Sequence, residues 1–564
     1  RKLREDFGIG YVYFIDENFG VNDKCLEDVC AELKGSGIKW ACETHFMVMT
    51  KDKLRRMAES GCVEVEYGLE SGDSEVLKRL NKTIDLNRAE ELTRYTIEVG
   101  LRPWLFLLVG SPGETKKSIQ NTLNFVRKFP RKRISFSVDT PLPYPTTALW
   151  QEGVKTGKIK DNVWSELNDV SGTIGNDFTK DEVEKEKQRF IGELEKPLKV
   201  IALEPFGEGG IGQYAYGLFN AMSDYADVLL VTEKNYELET LPRKFYLFKL
   251  NLFPDKSVPF TTMLKLLRFI KNNKPDVFDI QWEIKSIFLK PMLRLLRMFR
   301  IKVVYTAHNV IPHEPSPADR KRLKGLYDLV DCILVHTEEM KRNLVGLFEV
   351  GESKVQVIPH GNCLAFLKES DAKEARKKLN LKDEKVILFL GFIREYKGLD
   401  DLIRAFGRVK ENIGDVKLCI VGKPLIDFKP YEELIKDNNL TDIVITRLDY
   451  VPNSELGDYL STADVVVLPY RRISQTGVVQ PAYAFGKPVV VTNVGGLPEI
   501  VEDGKSGLIV KPNSPEELAE ALIKILKEDK MREKMGEYAR ELAETKYSWG
   551  KIAGDVMQVY YKLK

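Results

Sequence analysis

Apolar residues recur along this chain in short runs, each bounded by turn residues and followed by a segment whose apolar positions fall at helical spacing. Such runs lie at 11–19, 38–45, 63–71, 103–110 and 134–141, and again at 198–205, 227–233, 276–282, 301–309, 331–338 and 355–361. A third set occupies 386–392, 416–422, 443–448, 464–470, 488–493 and 507–512. Strands alternating with helices predict an α/β protein of parallel units. The first set is too small to close an eight-stranded barrel and predicts a partial (β/α) barrel. The second and third predict a pair of doubly wound, Rossmann-like domains with a ligand cleft at the carboxyl ends of their strands.

Two further stretches complete the division. Residues 151–196 turn polar and read as a solvated helix or charged linker. Residues 547–564 carry apolar side chains at helical spacing and are expected to pack back across a lobe. The expected domains are therefore 1–150, 151–196, 197–375, 376–546 and the closing helix 547–564.

Composition narrows the class. With 86 Lys+Arg against 84 Asp+Glu there is no electrostatic case for a nucleic-acid partner. The 7 cysteines have no regular spacing and read as reduced thiols of a cytoplasmic protein. No apolar run reaches the length that spans a bilayer, and no signal peptide opens the chain. It begins at Arg1, without a methionine, in the polar end of a helical pattern, which predicts a piece of something longer.

The most informative chemistry lies at 391–400, GFIREYKGLD, and at 473–501. Arg394 and Lys397 fall on the turn after an apolar strand, while Thr476, Gly477 and Val478 precede a short helix with Pro481 in its first turn. Backbone N–H groups at a helix start and two cations at the carboxyl ends of parallel strands fit a pyrophosphate.

With these motifs in place, residues 197–564 resemble the family 4 glycosyltransferases of GT-B architecture. The motifs that carry the resemblance are GEGGIGQYAYGL at 207–218, YTAHNVIPHE at 305–314, VIPHGN at 357–362, the 391–400 turn, DVVVLPY at 464–470 and the segment 483–510, in the family's order. The resemblance implies retaining, metal-independent transfer of a sugar from a nucleotide-diphosphate sugar, with no cofactor. It makes Lys397 the phosphate-binding lysine, with Arg394 offset from the family's arginine because Phe392 follows the glycine. Thr476, Gly477 and Val478 match the turn that receives the distal phosphate, Gly209 and Gly210 the donor-facing glycine pair, and His308 the catalytic histidine beside the transferred sugar. Where most of the family carries a Glu-x7-Glu pair, this chain has Ile473 and Pro481, which implies a variant donor site.

Each feature also has an ordinary structural explanation. Glycines at 209–212 serve strand-to-helix turns, a histidine at a strand end is commonly a hydrogen-bonded residue, and a lone lysine is commonly a surface charge. His308 and His313 are five apart around Pro312 and do not share a helical face as zinc ligands would. The basic, apolar segment 285–302 reads either as a helix covering the sheet with its Lys and Arg stems, or as a peripheral contact with the inner face of a membrane.

The first 150 residues resemble the middle and later units of a radical S-adenosylmethionine enzyme of the cobalamin-associated type. FIDENFG at 14–20, SGCVEVEYGLESGD at 60–73, NKT at 81–83, LLVGSPGET at 107–115 and PLPYPTT at 141–147 carry it. The resemblance implies Asp16 and Glu17 near the methionine amine, Glu70 near the ribose, and Gly110 and Glu114 near the adenine. The defining Cys-x3-Cys-x2-Cys loop is not in this sequence, so S-adenosylmethionine and a four-iron cluster are expected only in a full-length parent. Two other readings remain: a radical methyltransferase or maturase with supporting C-terminal lobes, and a non-catalytic nucleotide-sugar binding module. The acceptor stays open among glycans, lipid-linked and small molecules.

Overall fold

The computed structural model describes residues 6–16, 18–160, 170–252, 258–284, 286–311, 317–474 and 476–564. The chain forms two compact units that part at Pro197 and Leu198. In the first, β1 (Tyr11–Phe14), β2 (Lys39–Thr44), β3 (Cys62–Glu70), β4 (Arg102–Leu108) and β5 (Ser135–Asp139) lie side by side in chain order. All four pairings are parallel, as connections through helices require. Alternate residues of β3 and β4 enter a core with Trp40, Phe46 and Tyr67, the last two stacked at 4.4 Å.

The stretch expected to be a charged linker differs. Over Lys180–Glu195 it is a helix with a full capping box at Thr179 and Glu182, and Val183, Phe190 and Leu194 join the core of the first unit. Its charges hid the stripe: three apolar residues spaced seven and four apart are enough to seat sixteen on a sheet.

The second unit contains two lobes. Lobe 1 has seven strands in the order β12-β11-β10-β9-β6-β7-β8: β6 (Lys199–Glu204), β7 (Asp227–Glu233), β8 (Tyr246–Leu250), β9 (Val277–Ile280), β10 (Lys302–Thr306), β11 (Cys332–Val335) and β12 (Val355–Val357). Lobe 2 has six in the order β15-β14-β13-β16-β17-β18: β13 (Lys385–Leu390), β14 (Val416–Val421), β15 (Val444–Arg447), β16 (Val465–Leu468), β17 (Val489–Thr492) and β18 (Gly507–Val510). Strand β8 was not among the sequence expectations, because it is an edge strand whose side chains stay half exposed. In each lobe the first strand is followed by neighbours on one side and then on the other. The reversal falls between β6 and β9 and between β13 and β16, and a crevice opens at the carboxyl ends of those strands.

Cys363 and Leu367 already belong to the core of lobe 2, so the chain leaves lobe 1 earlier than residue 375. The closing helix, Trp549–Leu563, returns to lobe 1 and packs on the helix Gly209–Met222. Trp549 is the reason it seats there: a Cβ at Gly217 or Gly361 would lie 2.1 or 2.5 Å from its indole, and its Nε1–H donates to the Asn362 carbonyl at 2.8 Å. A fragment spanning 197–564 should accordingly melt in one cooperative transition. In it, Trp549→Ala should cost about 3–5 kcal/mol, the usual loss for emptying a buried aromatic site. Insolubility of the fragment, or a Trp549→Ala melt matching that of the unaltered fragment, would contradict this account.

Candidate functional site

Lobe 2 contributes a buried cation. Strand β13 ends at Gly391, where a φ of 107° and the nearness of Lys397 both demand glycine: a Cβ there would stand 2.9 Å from the lysine Nζ. A single tight turn over Glu395–Lys397 and a left-handed Gly398 lead into the helix Leu399–Asn412. Gly398 passes so close to the loop after β16 that a Cβ would meet the Pro469 carbonyl at 2.0 Å. Arg471 fastens that loop to the helix start through Asp400 at 2.6 Å and Asp401 at 3.0 Å.

Between these pieces the Lys397 side chain is 7% exposed, with its ammonium 5.3 Å from the centroid of the Tyr470 ring. It makes no ion pair or hydrogen bond among the described residues. Burial, and then the charge of Arg394, lower its pKa to about 8. Thr476 is buried and its Oγ1 accepts from the Val478 N–H at 3.2 Å, shaping the turn into the helix Val479–Ala484.

Lobe 1 contributes a glycine loop held from beneath. The fully buried Glu204 accepts from the Phe206 and Gly207 N–H groups at 2.8 and 2.9 Å and from Thr232 at 2.9 Å. Gly209 and Gly210 follow with open space where a Cβ would stand. Glu237 then ties the lobes at the cleft rim. It accepts from the Gly209 N–H at 3.2 Å, from the Tyr450 hydroxyl at 3.1 Å and from Asn453 at 3.3 Å, while Gln213 donates to Asn453 at 2.9 Å.

These parts enclose a cavity of about 410 Å³. Six of the residues expected at the donor site line it: Gly209, Gly210, Lys397, Thr476, Gly477 and Val478. Arg394 does not line it, and acts on the site through its charge on Lys397. Ile473 and Pro481 form part of the apolar wall where the family's two carboxylates would stand. Lys423, Tyr450 and Asn453 also line the cavity and went unnoticed in the sequence. Lys423 follows the cramped Gly422, whose position against the Gly391 backbone marks the end of β14, and that glycine was the available signal.

His308, expected beside the transferred sugar, is not on the cavity wall. It is buried under the Tyr214 ring, at 4.8 Å, in a chain of imidazoles. His336 Nδ1–H donates to the Ile358 carbonyl at 3.0 Å, and its Nε2 lies 3.1 Å from His308 Nδ1. The remaining nitrogen of His308 meets the Gln281 amide at 3.3 Å, and Gln281 and Tyr560 both bond the fully buried Asp279, whose carboxyl burial raises to about 7. His360 is the histidine nearer the turn at Gly477. A Cβ at Gly477 would lie 3.8 Å from its Nε2, while its Nδ1–H donates to the Gly361 carbonyl at 2.8 Å. Burial lowers all three: His308 well below its ordinary value, His336 to about 3 and His360 to about 4.

In the first unit, Asp16, Glu70 and Gly110 all lie at the carboxyl ends of parallel strands. Asp16 accepts from the Asn18 N–H at 3.2 Å, and Glu70 pairs with Lys82 at 3.3 Å. Glu114 turns inward to accept from Gly110 and Ser111 N–H at 2.5 and 3.1 Å, with burial raising its carboxyl to about 7. Glu17 and His313 lie outside the described residues. The thiols do not fit an iron–sulfur cluster. Cys25 and Cys30 sit on one helix, Cys42 and Cys62 on strands, and only Cys25 is exposed. Burial raises Cys30, and the hydrogen bond with Cys62 followed by burial raises Cys42, the opposite of what a thiolate ligand needs.

Comparison with known proteins decides the family. Residues 208–363 match the model "Glycosyltransferase Family 4" and residues 371–542 match "Glycosyl transferases group 1". These lobes belong to the GT-B glycosyltransferases. Residues 1–126 match the Radical SAM superfamily, so the glycosyltransferase stands behind a radical SAM segment. A D-inositol 3-phosphate glycosyltransferase of Corynebacterium aurimucosum is 28% identical over 292 residues, 50% of this chain and 68% of the relative. An uncharacterized glycosyltransferase of Methanocaldococcus jannaschii is 32% identical over 234 residues, 40% of this chain and 59% of the relative. Sucrose-phosphate synthase from Thermosynechococcus elongatus superposes with a TM-score of 0.53 at 22% identity, covering 65% of this chain and 99% of that one. Anabaena HepE in complex with UDP-glucose does so with a TM-score of 0.53 at 17% identity, covering 65% and 100%.

The imidazole chain gives this glycosyltransferase a testable acid limit. Its histidines are neutral when folded and take up protons near pH 6.5 when unfolded, so their stability contribution is complete above 6.5 and is lost as pH falls below it. Each should add up to about 1.4 kcal/mol per pH unit to the slope. His336→Asn, which keeps a donor for the Ile358 carbonyl, should remove one proton from that slope in urea titrations between pH 6.5 and 4. An unaltered slope would mean that His336 is already protonated in the fold.

Proposed function

We propose that residues 198–564 transfer a sugar from a nucleoside diphosphate sugar to an acceptor bound on lobe 1, with retention of configuration and without a metal ion. The observation that carries this reading is Lys397: a cation stripped of water, lacking a carboxylate among the described residues, on the wall of a cavity between two switch-point loops. A buried charge without a partner is costly, and a diphosphate is the partner that these surroundings suit. Lys397 and Lys423 outnumber the single carboxylate on the wall, Asp449. As the glycosidic bond breaks, negative charge gathers on the departing diphosphate. A fixed ammonium beside it lowers the barrier, because it interacts more strongly with that charge than with the intact donor.

The apolar residues Ile473 and Pro481 favour one other reading, a module that binds the nucleotide sugar and does not turn it over. Slow release of free sugar from the donor by the full chain separates the two, and a donor that stays intact under saturating conditions supports the binding module.

Lys397→Ala should weaken a nucleoside diphosphate by about 10- to 100-fold, since charge-assisted contacts are worth roughly 1.5–3 kcal/mol. The bare nucleoside should be unaffected. The pH dependence follows in sign: the diphosphate selects the ammonium, which in the free site titrates near 8, so affinity is flat below pH 8 and falls above it. That fall should approach about tenfold per pH unit. Calorimetry of UDP, GDP and ADP against their nucleosides from pH 6.5 to 9.5 tests both statements. Equal losses for nucleoside and diphosphate would place the pyrophosphate elsewhere.

A further inference from the structure

The helices Phe260–Asn273 and Leu289–Met298 lie side by side on lobe 1. Their leading ends meet through the rings of Phe260 and Phe288 at 4.7 Å, and their trailing ends through Lys271 and Phe299 at 6.0 Å. Both bury a full apolar stripe, Met263, Leu266 and Ile270 on one and Leu289, Met292, Leu293 and Leu296 on the other. Their burial needs are thus already met by the sheet.

The outer face is nevertheless apolar. Ile287 is 80% exposed and Met298 76%, and Phe260, Leu264, Leu295 and Phe299 are exposed with them. Interleaved with these stand Lys265, Arg268, Lys271, Arg294, Arg297 and Arg300, none with a carboxylate partner among the described residues. At the trailing end a further hollow of about 450 Å³ opens between Lys271, Lys274, Arg300, Lys302 and Lys564, with Asp276 its one acid, already paired to Lys564 at 3.3 Å.

We propose that this two-helix face seats lobe 1 on an anionic lipid bilayer, with Ile287, Met298 and Phe299 entering the acyl boundary and the arginines and lysines meeting lipid phosphates. Charge complementarity selects the occupant. A protein partner of ordinary composition would cover the apolar residues but leave a row of desolvated cations unpaired, whereas a phosphate-studded surface answers both at once. No helix among the described residues is long and apolar enough to cross a membrane, so the contact is one of lying on the surface. The leading ends of both helices lie at the carboxyl ends of the lobe 1 strands.

The experiment is sedimentation of the full chain with vesicles at physiological salt. Binding is expected to phosphatidylglycerol-rich vesicles and not to pure phosphatidylcholine. Ile287→Glu with Met298→Glu, and separately Arg294→Glu with Arg297→Glu, should each lower the partition by about tenfold or more, while diphosphate binding, read by calorimetry, stays unchanged. Absence of binding to anionic vesicles would overturn the proposal, as would binding that neither pair of substitutions weakens. Binding of single-stranded RNA that depends on the arginine pair and not on Ile287 and Met298 would assign the face to nucleic acid and overturn it equally.

Discussion

An ammonium group that has lost its water and gained no carboxylate is the constraint around which lobe 2 is arranged. Lys397 is tolerated in the interior because two glycines remove the atoms that would collide with it or with its turn, and because the face of Tyr470 offers a weak electrostatic partner. Arg471, Asp400 and Asp401 then hold the neighbouring loop against the helix that follows Lys397, which lines the cavity. Stability is spent here on a charge that the free protein does not satisfy, the usual mark of a site prepared for a ligand.

The lobes were legible because a doubly wound sheet writes itself into sequence as buried apolar runs with glycine at their carboxyl ends. Thirteen strands build them, and the run after Leu241 was the one passed over: β8 is exposed on its edge and lacks the continuous apolar signature of its neighbours. The cavity-lining loops were legible for the same reason, since Gly391, Lys397 and Thr476–Val478 follow the ends of β13 and β16. What pattern could not give is contact at long range. Glu237, Tyr450 and Asn453 are ordinary polar residues in separate stretches, and only folding puts one carboxylate against a hydroxyl, an amide and the Gly209 N–H. His308 shows the converse. Its place at a strand end is as expected, but Tyr214, from a helix far away in sequence, covers it, and its partners are His336 and Gln281 rather than the cavity.

The first unit tells a similar story about charge. Residues 180–195 looked like solvent-facing linker because most of them are charged, yet Val183, Phe190 and Leu194 line up and close the core, with Ile191 packed beside them. Three of the unit's four cysteines are interior residues; burial makes the Cys30 thiol harder to ionise than in water, and the hydrogen bond with Cys62 and then burial do the same to Cys42.

Asn362 has a consequence for motion. The chain passes from lobe 1 to lobe 2 near this residue and comes back just before Trp549, and here the two crossings are laced together. The Asn362 N–H donates to the Tyr547 carbonyl at 2.9 Å, its side-chain amide to the Ala543 carbonyl at 2.7 Å, and its carbonyl accepts from Trp549. Two crossings pinned to one another behave as a door hinge does: rotation about the pin remains free, while sliding and twisting of one lobe over the other are opposed. The rim contacts of Glu237, exposed at Tyr450 and part-buried at Asn453, lie outside both cores.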